Sequence, residues 1–342
     1  MSIATTRYLA PTPTNGVYWL MESGNYLVAV DAAPVGNGQP RSIAAFNLTN
    51  NTARVWPHLK GRLSSGWGNG YLYPGTLNGI THNGYAWIFQ GSGNNDFAFY
   101  RFNPATGSVV ASATATGWTG NGLYYAAWCY LVGSTVYMFS SYYNSSYATV
   151  PVNNLMTPNL TSVNYVMPSA GVVGSQSHVT YAPVYHDGFF WAYHVSPAAG
   201  DWLGASGLCK INPAAAPNAT NMTRVGGTVP APTTNLVIYD GWIYYGSGGY
   251  LWRVNMTTGE AESWTTNSGS MFSGFLGSDN RIYFLDTSTG LLAFDPVTLL
   301  YQYTADVPNV TGSADYGGYS PILKRSNGQI WLASVSPAPW PE

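Results

Sequence analysis

A short phrase recurs seven times along this chain: a turn pair followed at once by a run of aromatic and β-branched residues. It reads Gly24-Asn25-Tyr26-Leu27-Val28, Asn83-Gly84-Tyr85-Ala86-Trp87-Ile88, Gly133-Ser134-Thr135-Val136-Tyr137, Asp187-Gly188-Phe189-Phe190-Trp191, Asp240-Gly241-Trp242-Ile243-Tyr244, Asp279-Asn280-Arg281-Ile282-Tyr283-Phe284 and Asn327-Gly328-Gln329-Ile330-Trp331. Asn-Gly and Asp-Gly reach the positive φ that a two-residue hairpin demands, so each copy predicts two antiparallel strands around a tight turn. The residues that follow each turn suit a pleated, half-buried surface. The copies run from Gly24 to Gly328, a pitch of about 50 residues, which is the range of sheet-by-sheet repeat architectures.

A second phrase follows downstream in five of the units: Phe46-Asn47-Leu48-Thr49, Phe102-Asn103-Pro104-Ala105-Thr106-Gly107, Ile211-Asn212-Pro213, Val254-Asn255-Met256-Thr257-Thr258-Gly259 and Phe294-Asp295-Pro296-Val297-Thr298. An Asx residue with Pro or Thr-Gly after an apolar strand predicts a turn between a third and a fourth strand. Each unit is then a four-stranded meander. An aromatic strand followed by Phe-Asn-Pro-x-Thr-Gly resembles the blade repeat of kelch-like and quinoprotein-like β-propellers. Gly248-Gly249-Tyr250 and Gly317-Gly318-Tyr319 echo the paired glycine of kelch blades. The resemblance implies an all-β propeller, and it covers nearly the whole chain as a single domain, residues 1–342.

Six units are complete, and the seventh, near residue 329, has room for two or three strands. Seven blades are therefore expected, with six as the alternative. Ser2 to Leu9 alternates as a strand ahead of the first unit, so residues 1–10 are expected to pair with the last blade and close the ring, sparing the molecule an open sheet edge.

In such a meander the connections from second to third strand, and from one unit to the next, emerge on one face, while the tight turns emerge on the other. The long-loop face receives Trp67, Tyr71 and Tyr73, then Trp118, then Tyr142 and Tyr143, and lastly Asp201 and Trp202. Trp and Tyr interleaved with Gly, Asn and Ser combine rigid amphipathic area with adaptable hydrogen bonding. These eight residues are the candidate ligand-binding set, and a sugar ring fits that mixture. The competing reading packs the same aromatics between blades.

Charged residues make up only 8% of the chain, against about 25% in ordinary domains. With a net charge of −2 and Lys60, Lys210 and Lys324 as its lysines, the chain has no footprint for a phosphate backbone or an anionic membrane surface. Met1 to Asn15 lacks the basic start and apolar core of a secretion signal, and no long apolar run predicts a membrane span. Cys129 and Cys209 fall on strands of different units and are expected to be buried free thiols. The sequons Asn218-Ala219-Thr220 and Asn255-Met256-Thr257 sit in turn phrases and read as turn chemistry.

Motifs for catalysis are missing: no phosphate-binding Gly-rich loop, no Gly-x-Ser-x-Gly elbow, no His-Glu-x-x-His, and no Asp-box repeat. Asp187, Asp240, Asp279 and Asp295 lie in turns, where they are expected to cap backbone amides. His178, His186 and His194 flank the hairpin at Asp187-Gly188, with Asp201 as the nearest further ligand; packed or surface histidines are expected ahead of a metal or catalytic site. No cofactor is expected. Few charges, little cysteine and abundant Gly, Ser, Thr, Asn and Tyr resemble bacteriophage structural and receptor-binding proteins. That resemblance implies a non-enzymatic component of a virus particle, a tail or head appendage that recognises a host-surface glycan or docks other virion proteins. A free-standing lectin is the alternative, and a propeller lyase or glycosidase a third reading.

Overall fold

The computed structural model describes residues 17–31, 43–56, 78–91, 97–113, 126–140, 146–164, 178–195, 207–214, 222–266, 271–286, 290–304, 322–324, 326–327 and 329–332. The first sheet contains β1 (Val17–Ser23), β2 (Tyr26–Asp31), β3 (Ile43–Asn47) and β4 (Thr52–Trp56). The second contains β5 (Asn78–His82), β6 (Tyr85–Gly91), β7 (Phe97–Phe102) and β8 (Val109–Ala111). The third contains β9 (Ala126–Val132), β10 (Thr135–Ser140), β11 (Ser146–Pro151) and β12 (Thr161–Asn164). The fourth contains β13 (His178–His186), β14 (Phe189–Val195), β15 (Gly207–Ile211) and β16 (Met222–Arg224). The fifth contains β17 (Val237–Tyr239), β18 (Trp242–Ser247), β19 (Tyr250–Asn255) and β20 (Ala261–Thr265), and the sixth β21 (Met271–Leu276), β22 (Ile282–Asp286), β23 (Gly290–Asp295) and β24 (Leu300–Thr304). β25 (Ile322–Lys324) and β26 (Ile330–Leu332) form a two-stranded pair. The chain is all-β, and within each sheet the strands follow one another in sequence order, all antiparallel.

Five of the seven tight-turn phrases form two-residue hairpins of two kinds, whereas the sixth joins Leu276 to Ile282 and the seventh Lys324 to Ile330 through longer connections. Two-residue loops join Ser23 to Tyr26, His82 to Tyr85, Val132 to Thr135, His186 to Phe189 and Tyr239 to Trp242. At Asn83-Gly84, Asp187-Gly188 and Asp240-Gly241 both residues have positive φ, the pattern of a type I′ turn; at Gly24 and Gly133 only the first does, the pattern of type II′. Asp187 and Asp240 are therefore placed by backbone conformation, and the Asp187 carboxylate lies 3.2 Å from His186 Nε2, where amide capping was expected. Asp279 and Asp295 do cap, accepting from the N–H groups of Arg281 and of Val297 and Thr298.

The second phrase is one local structure used repeatedly. The side chain of Asn47, Asn103, Asn212, Asn255 or Asp295 accepts from the N–H two residues on at 2.9 to 3.0 Å. In four of these turns the carbonyl of the same residue accepts from the N–H four residues on, at Asn51, Gly107, Gly259 and Leu299. All four donor residues have positive φ, which explains the Thr-Gly ending. Asn255 of the sequon is thus occupied by its turn, whereas Asn218 lies outside the described residues.

Packing explains why the second strands read as unbroken apolar runs. Phe190 and Ala192 of β14 pack with Phe139 and Tyr147 of the third sheet, whereas Trp191 and Tyr193 pack with Ile243 and Tyr245 of the fifth. Successive residues point to opposite faces of a strand, so both faces are covered and each seam between consecutive sheets is a hydrophobic core. All five residues of β22 are buried, whereas the outer strand β20 alternates exposed and half-buried. Cys129 and Cys209 are buried free thiols in these seams. First strands of successive sheets adjoin in chain order, and β25 lies against both β21 and β1.

Candidate functional site: the loop-bearing face

The strand ends opposite the tight turns define the face that carries the second-to-third and sheet-to-sheet connections. Trp67, Tyr71, Tyr73, Trp118, Tyr142, Tyr143, Asp201 and Trp202 all lie outside the described residues. What the structure fixes is the frame on which those segments are mounted. The sites of connection are unequal. Residues 32–42 and 196–206 link second to third strand in the first and fourth sheets, but in the fifth the link is the pair Gly248-Gly249, with φ of 56° and 79°. Ser247 pairs directly with Tyr250, so the kelch-like glycine pair is a minimal hairpin on this face.

The connection between the fourth and fifth sheets shows how the frame holds such segments. Thr233 N–H donates to the Gly246 carbonyl at 2.7 Å, Gly246 N–H donates to Thr234 Oγ1 at 3.0 Å, and Ser247 Oγ–H donates to the Ala231 carbonyl at 2.6 Å. The Tyr193 hydroxyl donates to the Val229 carbonyl at 2.9 Å. The backbone polar groups of this connection are thereby satisfied at the seam.

A feature missed in the sequence reading appears once the second strands are aligned by pairing. Leu27, Ala86, Val136, Phe190, Ile243 and Ile282 all pair with the residue just before the end of the third strand or its turn. Four residues on, every sheet has a polar residue: Asp31, Gln90, Ser140, His194, Ser247 and Asp286. His194, Ser247 and Asp286 are buried. Counting residues from the tight turns would have exposed this row in the sequence.

Alternation assigns the row to different seams. His194 shares the face of Phe190 and Ala192, against the third sheet; Asp286 shares that of Ile282 and Phe284, against the fifth. The positions therefore do not converge on a single acid–base pair. The histidine trio is likewise dispersed. His194 pairs with Val179 and His178 with Val195, so neighbouring register puts the two positions on opposite faces, and His186 sits at the other end of the hairpin beside Asp187. Among the described residues no group of three His, Cys, Asp or Glu is arranged to hold a metal ion. Burial pushes the Cys209 thiol up to about 12 and the Cys129 thiol well above its ordinary range, so neither is a thiolate nucleophile at neutral pH. Among the described residues no helix is long and apolar enough to cross a membrane.

No protein-family profile and no curated protein matches this chain. Solved structures do. The extracellular domain of a candidate one-component system from B. thetaiotaomicron is similar at 15% identity and a TM-score of 0.58, over 94% of this chain and 39% of that one. A streptogramin B lyase is similar at 11% identity and a TM-score of 0.55, over 96% of this chain and 93% of the lyase. A protein from Bacteroides fragilis described as a candidate 6-phosphogluconolactonase is similar at 12% identity and a TM-score of 0.52, over 91% and 88%. At these identities the likeness shows the fold alone, an all-β, propeller-like architecture. It adds nothing for the kelch resemblance or for a virus particle, both of which stand on sequence phrases and composition.

Proposed function

We propose that this chain is a non-enzymatic recognition propeller: a ring of seven units, its last one completed by residues 1–10, that binds a surface glycan through the loop-bearing face. The observation that carries the reading is the inequality of the two faces. On the turn face the Asx side chains and main-chain groups are consumed by stereotyped internal hydrogen bonds. On the other face connections differ from sheet to sheet around a rigid frame, the usual way a scaffold carries binding residues. Trp67 and Trp118 are the anchors within it, and one composite site suits these unequal connections better than identical sites in every seam. Composition extends the reading to a virus particle that meets a host surface, with other virion proteins as neighbours.

The test is binding of the purified chain to a panel of surface glycans and to host cells, beside a variant with Trp67→Ala and Trp118→Ala. Binding that falls at least tenfold in the variant supports the reading. A panel in which no bound glycan depends on the two tryptophans, or turnover of a glycan by the wild-type chain, overturns it. Absence of the chain from purified particles of a virus that encodes it removes the virion part.

A further inference from the structure

In three sheets the third strand carries a cation two residues before the Asx of its turn: Arg101, Lys210 and Arg253. Each lies over aromatic rings. Arg101 Cζ is 4.9 Å from the Tyr85 centroid and 5.9 Å from that of Trp87. Lys210 Nζ is 3.7 Å from Phe189 and 5.4 Å from Trp191, and Arg253 Cζ is 4.1 Å from Trp242 and 5.2 Å from Trp264.

In the fifth sheet this constellation is complete. Arg253 pairs across strands with Glu262 and donates to its Oε2 from Nε at 2.9 Å and from Nη2 at 2.7 Å. On its other side Arg253 pairs with Tyr244. The second and fourth sheets lack the carboxylate, since Val110 stands opposite Arg101 and Thr223 opposite Lys210. Trp87 and Trp191 occupy the place of Tyr244. Both indoles are buried, and among the described residues their Nε1–H groups meet no acceptor. Neither Arg101 nor Lys210 has a carboxylate partner among the described residues.

A buried donor without an acceptor is costly, and a cation beside it raises the reward for a negatively charged acceptor. In the fifth sheet the acceptor beside the cation is a carboxylate, that of Glu262. We propose that Arg101 with Trp87, and Lys210 with Trp191, are two equivalent sites for the carboxylate of an acidic sugar. The half-buried rings of Tyr85 and Phe189 beside the cations offer apolar area to a pyranose ring. Single cations separated by the third sheet suit spaced carboxylates and not the dense charge of a phosphate backbone. The sugar rests on the recognition reading above; the carboxylate does not.

The test is calorimetric titration of the full chain with a galacturonate trisaccharide and with the neutral galactose trisaccharide. Two variants accompany it: Val110→Glu with Thr223→Glu, which supplies the residue present at the Glu262 position, and Arg101→Gln with Lys210→Gln. The wild type is expected to prefer the uronate at least tenfold, and each variant to lose at least tenfold of that affinity. The glutamate variant should melt no lower than wild type, which separates blocked sites from misfolding. Neutral glycans held at the loop-bearing face should be bound equally by the wild type and by both variants, so the two readings fail separately. Equal affinity for acidic and neutral sugars, or unchanged uronate affinity in the glutamate variant, overturns the sites. A glutamate hexapeptide bound there in place of the uronate overturns the sugar.

Discussion

Glu22 and Ser326 meet across 304 residues of chain: the Ser326 N–H donates to Glu22 Oε2 at 2.9 Å and its hydroxyl to Oε1 at 3.3 Å. Glu22 is on β1 and Ser326 lies between β25 and β26, so this contact joins the first sheet to the two-stranded pair. The bonds are exposed, and Glu22→Ala should cost about 1 kcal/mol. Deleting residues 1–10 should cost far more if that segment completes the seventh unit. Thermal melting of both variants checks this, and an unchanged midpoint in the deletion would sink the proposed closure.

In two of the Asx turns the residue with positive φ is also where the preceding unit approaches. A Cβ on Gly259 would run into Gly226, and one on Gly107 would run into the Trp56 indole. Gly259→Ala combines that collision with a backbone at φ of 73°, so it should destabilise by about 2 kcal/mol or more. Asn51 holds the same conformation at φ of 57° and is exposed. Asn51→Gly should therefore change stability by less than about 0.5 kcal/mol. Urea unfolding of the pair measures the contrast, and similar losses in both would mean that the close approach is not what matters.

Hairpins and meanders were legible in the sequence because turn chemistry is local: Asn-Gly, Asp-Gly and Asx-x-x-Thr-Gly specify φ and hydrogen bonds within a few residues. The third sheet shows the limit. There β11 runs into a short 3-10 turn at Val152–Asn154 before β12, and no Asx phrase announces it. His194 was weighed only with its neighbouring histidines, and its row with Ser247 and Asp286, like the cations Arg101, Lys210 and Arg253, was not singled out, because the meaning of both depends on register between strands far apart in sequence. A lone Lys210 carries no signal; Lys210 opposite Thr223, where Arg253 has Glu262, does. The aromatic set from Trp67 to Trp202 was chosen by composition and lies outside the described residues.

Asp295 should make stability fall in acid. Hydrogen bonds from the Thr298 and Val297 N–H groups hold its carboxyl below the ordinary carboxylate range. A pKa lowered on folding contributes stability that is present above the unfolded value and is lost as pH falls through the folded value. Asp295→Asn keeps the side-chain acceptor that Asn47, Asn103 and Asn255 use in the same turn, but it cannot titrate. The difference in melting temperature between wild type and Asp295→Asn should therefore shift in favour of the variant as pH drops below the ordinary carboxylate range. A difference that stays constant with pH would show that the turn does not sense the charge.

Asn235 joins the fifth and sixth sheets as a substitute for a strand pair. Its Nδ2–H donates to the Gly274 carbonyl at 2.8 Å, and its Oδ1 accepts from Gly274 N–H at 2.7 Å. Gly274 is buried, and its missing side chain leaves room for Phe284 and Val237, so no water can readily replace the amide. Asn235→Leu removes both bonds at similar volume and strands a buried donor and acceptor, at an expected cost of about 2 to 4 kcal/mol. Asn235→Asp keeps the acceptor but loses the donor and brings a charge to the seam, so it should also destabilise. Hydrogen exchange at the Gly274 amide separates local from global loss. In Asn235→Leu that amide should exchange faster than the amides of β22, which are held within their own sheet. Equal protection of Gly274 in variant and wild type would show that the seam does not depend on this clamp.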